Sequence, residues 1–304
     1  MTLPEEHTVI TADHVIYHFH PDLEAKWHVA PHEQVEIRCP DGVHGQIRTE
    51  QDRYVAVDYD HINDAVGPIH VAGAEPGDRL IFDIHDIQIP QDWGYVLVIP
   101  NFGLLQAKVQ EARTKIVPIK DGCVHFDGMR IPLDPCIGTI GVATHEGRYN
   151  TVIPFDHGGN MDTTAIRAGA RVHFPVNQPG GLIAMGDAKA VMGDGEVCGT
   201  GVGVPINIFA HFEVVKGGRL SRPVIETAGE WQFIASAETL EQACILANED
   251  LIGALMRSKG LPWADAYMLT SLVGQLRISQ VVDPLMTVRM AISKDYLPTL
   301  DKMA

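Results

Sequence analysis

Residues 186–204 read GDAKAVMGDGEVCGTGVGV, with three carboxylates, one lysine and six glycines in nineteen residues. Acidic groups among glycines belong where the backbone approaches a metal or substrate, or bends where only glycine bends freely. A second polar cluster, FDHGGNMD at 155–162, sets Asp156, His157, Asn160 and Asp162 around a Gly-Gly pair. Alternate residues of an extended chain share a face, which pairs Asn160 with Asp162, Asp187 with Lys189, and Asp194 with Glu196. Carboxylate, amide and imidazole packed this densely cost desolvation unless a metal or a polar substrate pairs with them. A lysine held among carboxylates stays protonated, which suits an electrostatic stabiliser, while Glu196 among small residues has its pKa raised and serves as general base or acid. Asp187 beside Lys189 also reads as a plain ion pair, and Asp194 between glycines as a turn residue.

A third group is the run of histidines His14, His18, His20, His28 and His32, followed by His61, His70 and His85. None has HExxH spacing, and each reads singly as a surface or hydrogen-bonded histidine. No GxSxG elbow supports a serine nucleophile. The five cysteines (Cys39, Cys123, Cys136, Cys198, Cys244) are scattered without a CxxC. They read as small buried hydrophobes of a reducing compartment.

Short runs rich in Val, Ile and aromatics must position these groups. QVEIR, RYVAVDY, IHVAGA, RLIFDIHDIQI, YVLVIP, RVHFPV and INIFAHFEVV are separated by PDG, EPGD, KDG, HEG and KGG turns. That pattern predicts a sandwich or barrel of strands rather than βαβ units. LLQAKVQEARTK is the main helical candidate before residue 235. From Ser236 the character changes: SAETLEQACILANEDLIGALMRSKG carries apolar residues at helical spacing, a capping-box pair in Ser236 and Glu238, and Gly260 as its stop. PWADAYMLTSLVGQL predicts a second helix, and ISQVVDPLMTVRMAIS returns to strand. The expected fold is mainly β, a jelly-roll- or barrel-like body over 1–235 carrying the acidic motifs, with a smaller α+β part over 236–304 packed on it.

At 304 residues the chain is long enough for a sizeable core, and 45% hydrophobic with 20% charged residues is a globular composition. The net charge of −16 argues against nucleic acid and anionic membrane surfaces, both of which call for clustered Lys and Arg. MTLPEEHTVI lacks a basic stretch followed by an apolar run, and no apolar segment reaches the roughly 20 residues that span a bilayer, so a cytoplasmic protein is expected.

The stretches VGPIHVAGAEPGDRL, WGYVLVIPNFGLL, IPLDPCIGTIGVA, GGNMD, GDAKAVMGDGEVCGTG and AYMLTSLVGQLRISQVVDP resemble the acetamidase/formamidase family, in the family's order across almost the whole chain. The resemblance implies a predominantly β fold, oligomers built on dimers, and hydrolysis of small aliphatic amides to carboxylate and ammonia. It also implies a divalent metal, zinc or calcium, near the acidic motifs. Carried over by motif, Asn160 and Asp162 match its GGN-x-D, and Asp187, Asp194 and Glu196 its acidic glycine-rich stretch. Two positions depart: Lys189 stands where the family usually has histidine, and Gly203 where a glutamate is common. Asp64, where proline is frequent, reads as a loop change. An ammonium cannot ligate a metal, which alters that site and lets Lys189 supply the cation's charge instead. The expected roles are Glu196 activating water, Lys189 and Asp187 completing the catalytic set, Asn160 and His157 binding substrate, and Asp162, Asp187 and Asp194 holding any metal. Two alternatives stand beside this: a carboxylate-bearing amide, lactam or ester paired with Lys189 in volume opened by Gly203, and a non-catalytic homologue.

Overall fold

The computed structural model describes residues 7–301, so the reading of MTLPEEHTVI falls mostly outside it. Strands dominate, and the two α-helices, Leu240–Lys259 and Trp263–Val273, follow one another late in the chain. The largest sheet has nine strands, in the order Thr8–Ile10, Val35–Cys39, Ile206–Val215, Arg79–Gln88, Arg171–Pro175, Val224–Glu226, Glu230–Ala237, Met286–Ser293 and Gln275–Gln280. A second sheet runs Gly158–Asn160, Cys136–Gly141, Ile183–Lys189, Ala65–Val71 and Val15–Ile16, with Trp27–Val29 also paired to Ala65–Val71. A third, meandering sheet runs Met129–Pro132, Cys123–Phe126, Arg113–Lys120 and Trp93–Val98.

Alternating side chains explain how the first two sheets meet. Ile37, Phe82, Phe174 and Phe212 of the nine-stranded sheet share one contiguous buried core with Val66, Ile140 and Met185 of the second. That is how two sheets of a sandwich pack. Bridges from Gly203 to both Tyr95 and Lys189 tie the meander to the second sheet. Beneath the meander, Val43, Ile47, Val57, Tyr95, Leu97 and Ile99 form a separate small core. The pocket described below opens at that junction.

The nine-stranded sheet continues past residue 235: Glu230–Ala237 pairs with Met286–Ser293 from Glu230↔Ser293 to Ala237↔Met286. The helices cover these strands, with Ala243, Ala247, Leu251 and Leu255 packed against Phe233, Val288 and Met290. Three local expectations are corrected. The long helix begins at Leu240, where the Thr239 hydroxyl accepts from the Gln242 N–H, and Gly260 closes it in the left-handed conformation (φ 68°); Ser236 lies in the preceding strand. RYVAVDY forms two 3₁₀ turns, Tyr54–Ala56 and Tyr59–His61, because no strand pairs with it. LLQAKVQEARTK keeps one 3₁₀ turn, Gln106–Lys108, before entering the strand Arg113–Lys120; Leu104 and Leu105 are exposed and give a helix no face to bury.

Candidate active site around Lys189

A cavity of about 200 Å³ lies where the second sheet meets the meander, lined by Asn160, Asp162, Asp187, Lys189, Glu196 and Asp283 among others. The strand Ile183–Lys189, buried throughout, presents Asp187 and Lys189 to it from alternate positions. Asn160 ends the strand Gly158–Asn160, and Asp162 follows it. Glu196 lies in the glycine-rich loop, and Asp283 in the turn joining Gln275–Gln280 to Met286–Ser293. Asp187 and Lys189 both reach the cavity, as do Asn160 and Asp162, although the left-handed backbone at Asp162 and Asp187 departs from simple alternation.

Lys189 Nζ lies 2.7 Å from Asp187 Oδ1, 3.4 Å from Asp162 Oδ1 and 3.8 Å from Glu196 Oε1. Burial pushes against the ammonium, but the Asp162, Asp187 and Glu196 carboxylates outweigh it and hold the lysine pKa well above normal. The acids carry the opposite stress. Burial drives the Asp162 carboxyl up to about 6 against the pull of Lys189. Burial, then the charge of Asp162, raises both Glu196 and Asp283 well above the carboxylate range. One ammonium thus faces Asp162, Asp187, Glu196 and Asp283, and the surplus negative charge is relieved by protons or by a further cation.

The backbone is bent to bring these acids together. Asp162, Asp187 and Glu196 all have left-handed φ values, 39°, 49° and 44°. Such angles cost a non-glycine residue about 1 kcal/mol or more, and they cluster where surrounding structure over-determines a site. Gly138 is small for the same reason: a Cβ there would sit 2.5 Å from both Asp162 Oδ1 and the Asp187 carbonyl. Gly42 likewise leaves space that Asp187 Oδ1 fills.

Hydrogen bonds hold the rest. Thr139 Oγ1 donates to Asn160 Oδ1 at 2.6 Å, and Asn160 Nδ2 donates to Asp283 Oδ2 at 2.9 Å. Asn63 Nδ2 donates to Asp187 Oδ2 at 3.1 Å, and the Gly201 N–H to Glu196 Oε1 at 3.2 Å. Tyr54, Tyr95 and the apolar side chains of Val43, Leu97, Ile99 and Phe102 close the cavity.

Two expected residues lie elsewhere. Asp194 is half exposed and reaches Thr164 Oγ1 at 2.7 Å and the buried Arg289 at 2.6 Å, outside the cavity. Its separation from Glu196 follows from the chain between them: Gly195 (φ 96°) and Glu196 are both left-handed, a turn in which alternation does not apply. His157 is 2% exposed and packs between Phe19 and Tyr149, at ring distances of 4.8 and 5.4 Å. Burial pulls its pKa down to about 3, and it borders a different cleft. Gly203 does line the cavity, but the space a Cβ would occupy is filled by the Tyr95 ring rather than left open. Asp64 does more than alter a loop: it is fully buried, accepts from His44 Nδ1 at 2.7 Å, and follows Asn63 directly. Asp283, Asn63 and Tyr95 join the site without having been singled out; the one local signal was that VVDP and WGYVL lie in stretches that resemble the family.

Asp162, Glu196 and Asp283 each offer a carboxylate oxygen within 4.8 Å of the other two. Asp162 Oδ1 is buried without a hydrogen-bond partner, its contact with Lys189 being a charge contact at 3.4 Å. This all-oxygen set fits a hard divalent cation, calcium more readily than zinc, which prefers nitrogen and sulfur.

Fold and pocket define a class of mostly β protein with a small, buried acidic cavity where two sheets converge. Residues 5–147 and 142–297 match the Acetamidase/Formamidase family, and the chain belongs to it. A formamidase of Methylophilus methylotrophus is 28% identical over 242 residues, 60% of this chain and 59% of that protein. An acetamidase of Mycolicibacterium smegmatis is 28% identical over 269 residues, 66% of each. The matches therefore span 59% to 66% of the length of these curated relatives. Among solved structures, an acetamidase of Bacillus halodurans superposes with a TM-score of 0.93 at 32% identity, covering 96% of this chain and 99% of that one. A "predicted acetamidase/formamidase" of Thermoanaerobacter tengcongensis has the same TM-score at 38% identity, covering 96% and 98%.

Proposed function

We propose that this protein hydrolyses small, uncharged amides to carboxylate and ammonia in the cavity around Lys189. The observation that carries the reading is one protonated lysine held against carboxylates whose proton affinities burial has raised. Carboxyls whose proton affinity is raised in this way can accept and return a proton during turnover, beside a lysine that stays charged. Membership of the family supports the same reaction.

The substrate carbonyl oxygen would lie on the Lys189 side of the cavity, where the ammonium has one donor committed to Asp187 at 2.7 Å and longer contacts elsewhere. Those remaining donors stabilise the oxyanion as water adds to the carbonyl carbon. Glu196, in its ionised form, takes the proton from that water. The C–N bond then breaks as Glu196 passes the proton to the departing nitrogen, leaving the carboxylic acid and ammonia, which exchange a proton to give carboxylate and ammonium. Asn160 positions Asp283 through one Nδ2–H, and its second N–H is available to orient the substrate in the cavity that it lines. A divalent cation held by Asp162, Glu196 and Asp283 would supply Lewis-acid polarisation of the carbonyl when bound.

Size and charge select the substrate. About 200 Å³ admits a ligand of a few heavy atoms, and the surplus of carboxylates repels an anion. The carboxylate-bearing substrate is therefore disfavoured, as is the extra room once expected from Gly203. The test is ammonia release from formamide, acetamide and propionamide. Turnover with Glu196→Gln reduced by about 10²–10⁴ is expected for loss of a general base. No ammonia from any of the three amides with well-folded protein would overturn the reading in favour of a non-catalytic homologue. Full turnover by Glu196→Gln would remove the glutamate from its role.

A further inference from the structure

On the nine-stranded sheet, outside the Lys189 cavity, three histidines and two carboxylates converge. His211 and Glu213 lie on one face of Ile206–Val215, two residues apart. The neighbouring strand Arg79–Gln88 runs antiparallel in register, with Asp83 opposite His211. Between the pairs Phe209↔Asp86 and Ala210↔Ile84 the register shifts, leaving His85 as the extra residue of a bulge. Bulges re-aim side chains, and here His85 Nε2 comes within 2.7 Å of His211 Nδ1. His32 arrives from a separate loop in the left-handed conformation (φ 64°), its N–H bonded to the Phe212 carbonyl at 2.7 Å. Its ring lies 5.6 Å from that of His211.

We infer that His32, His211 and Glu213 form a surface site for a divalent transition metal of the zinc or nickel type, with His85 as the residue that orients His211. One ligand atom from each of the three lies within 4.8 Å of the others. His211 Nε2 and Glu213 Oε1 are 3.1 Å apart, close to the roughly 3.3 Å spanned by two ligands on one tetrahedral zinc at about 2.0–2.1 Å each. Asp83, His85 and His211 also approach one another, but the 2.7 Å between the two imidazole nitrogens is a hydrogen bond and too short for two ligands of one ion.

That hydrogen bond has a use. With His211 Nε2 on the metal, its Nδ1–H donates to His85 Nε2 and fixes the tautomer, the usual arrangement around a metal-bound histidine. Glu213 is held from behind, its Oε2 accepting from Arg171 at 2.7 Å while Oε1 faces His211.

Arg171 also bears on which metals bind. It pairs with Asp83, Glu213 and Glu226 at 3.1, 2.7 and 2.9 Å. Arg171 therefore offsets part of the carboxylate charge, and the two imidazoles supply the ligands that discriminate between metals. Calcium and magnesium seek oxygen, whereas zinc, nickel and copper seek imidazole. None of the five residues lines the Lys189 cavity, so this site is independent of the proposed amide chemistry.

The experiment is calorimetric titration of chelator-stripped protein with Zn²⁺, Ni²⁺ and Ca²⁺, with thermal melting alongside. Wild-type protein should take up one Zn²⁺ or Ni²⁺ that His211→Ala and His32→Ala each lose. His85→Ala should weaken binding by roughly 10- to 100-fold, as removal of an orienting partner does. Zn²⁺ should raise the melting temperature of wild type more than that of His211→Ala, because only the folded state presents the site. Equal zinc stoichiometry and affinity in wild type, His211→Ala and His32→Ala, each folded by circular dichroism, would overturn the inference. So would loss of the same ion to Ca²⁺ competition at equal concentration.

Discussion

Around Lys189, the ammonium is buried with the carboxylates of Asp162, Asp187 and Glu196, and the half-buried Asp283 lies beside them; around His211, three imidazoles and two carboxylates stand at the surface beside a guanidinium. The residue types overlap, but the solvent differs. In the cavity burial leaves the charges weakly screened, so imbalance appears as raised proton affinity at Asp162, Glu196 and Asp283. On the sheet face, water and Arg171 absorb the charge, and the imidazoles remain free to ligate. Burial thus makes one region suited to moving protons, and exposure makes the other suited to capturing an ion.

The strongest test of this contrast is Lys189→Met. Removing the only ammonium leaves its buried carboxylate partners uncompensated, and loss of one partner from a buried ion pair costs about 3–5 kcal/mol. Turnover should fall by about 10²–10³, as for removal of an oxyanion donor. Denaturant unfolding and ammonia release measure the two. An unchanged unfolding midpoint would mean that the cavity is far wetter than its burial indicates.

The proton content of the cavity is tested by pH. The folded pKa of Asp162, about 6, lies above the ordinary 3.8. The folded state therefore holds this proton more tightly than the unfolded chain. The resulting stability is fully present below about pH 4 and is lost as pH rises through about 6. Its upper bound is about 3 kcal/mol for two pKa units. In chelator-treated protein, the wild-type-minus-Asp162→Asn difference in unfolding free energy should decrease from pH 4 to pH 6.5. A difference that is flat with pH would place the proton on another carboxyl of the cluster.

Gly203→Ala tests the seam between the sheets. The added methyl would meet the Tyr95 ring, and overpacking of this kind costs about 1–3 kcal/mol. Tyr95→Ala should relieve the clash, so the double variant should be more stable than the sum of the two single changes. Additive effects would show that the ring moves aside freely.

Much of this was legible because it is local. Alternation and turn dipeptides mark the strands 79–88 and 206–215, the spacing of Ala243, Ala247, Leu251 and Leu255 marks the long helix, and GDAKAVMGDGE places Asp187, Lys189 and Glu196 on one loop-and-strand unit. Contacts made by register across long sequence separations were not legible. Asp283 meets Asn160 from 123 residues away, and His85 meets His211 from 126. No local period encodes either. His157 misled because an imidazole beside Asn160 and Asp162 reads as polar, while the left-handed Gly158 and Gly159 (φ 102° and 88°) carry the chain across a turn that leaves it on a different cleft.

Asp194 gives the smallest expected effect and the cleanest control. It lies two residues from Glu196 in the same acidic motif, yet it faces outward to Arg289 at 2.6 Å and Thr164 at 2.7 Å. Asp194→Asn keeps the shape and removes the charge that balances a buried guanidinium. Because Asp194 is half exposed, solvent screens much of that pair, and a loss of about 1 kcal/mol is expected. Ammonia release should be unchanged within twofold, since no cavity contact is altered. A loss of turnover comparable to that of Glu196→Gln, with stability intact, would show that the two acids act together. The turn at Gly195 would then open to bring Asp194 inward, and the division between a chemical acid and a bracing acid would fail.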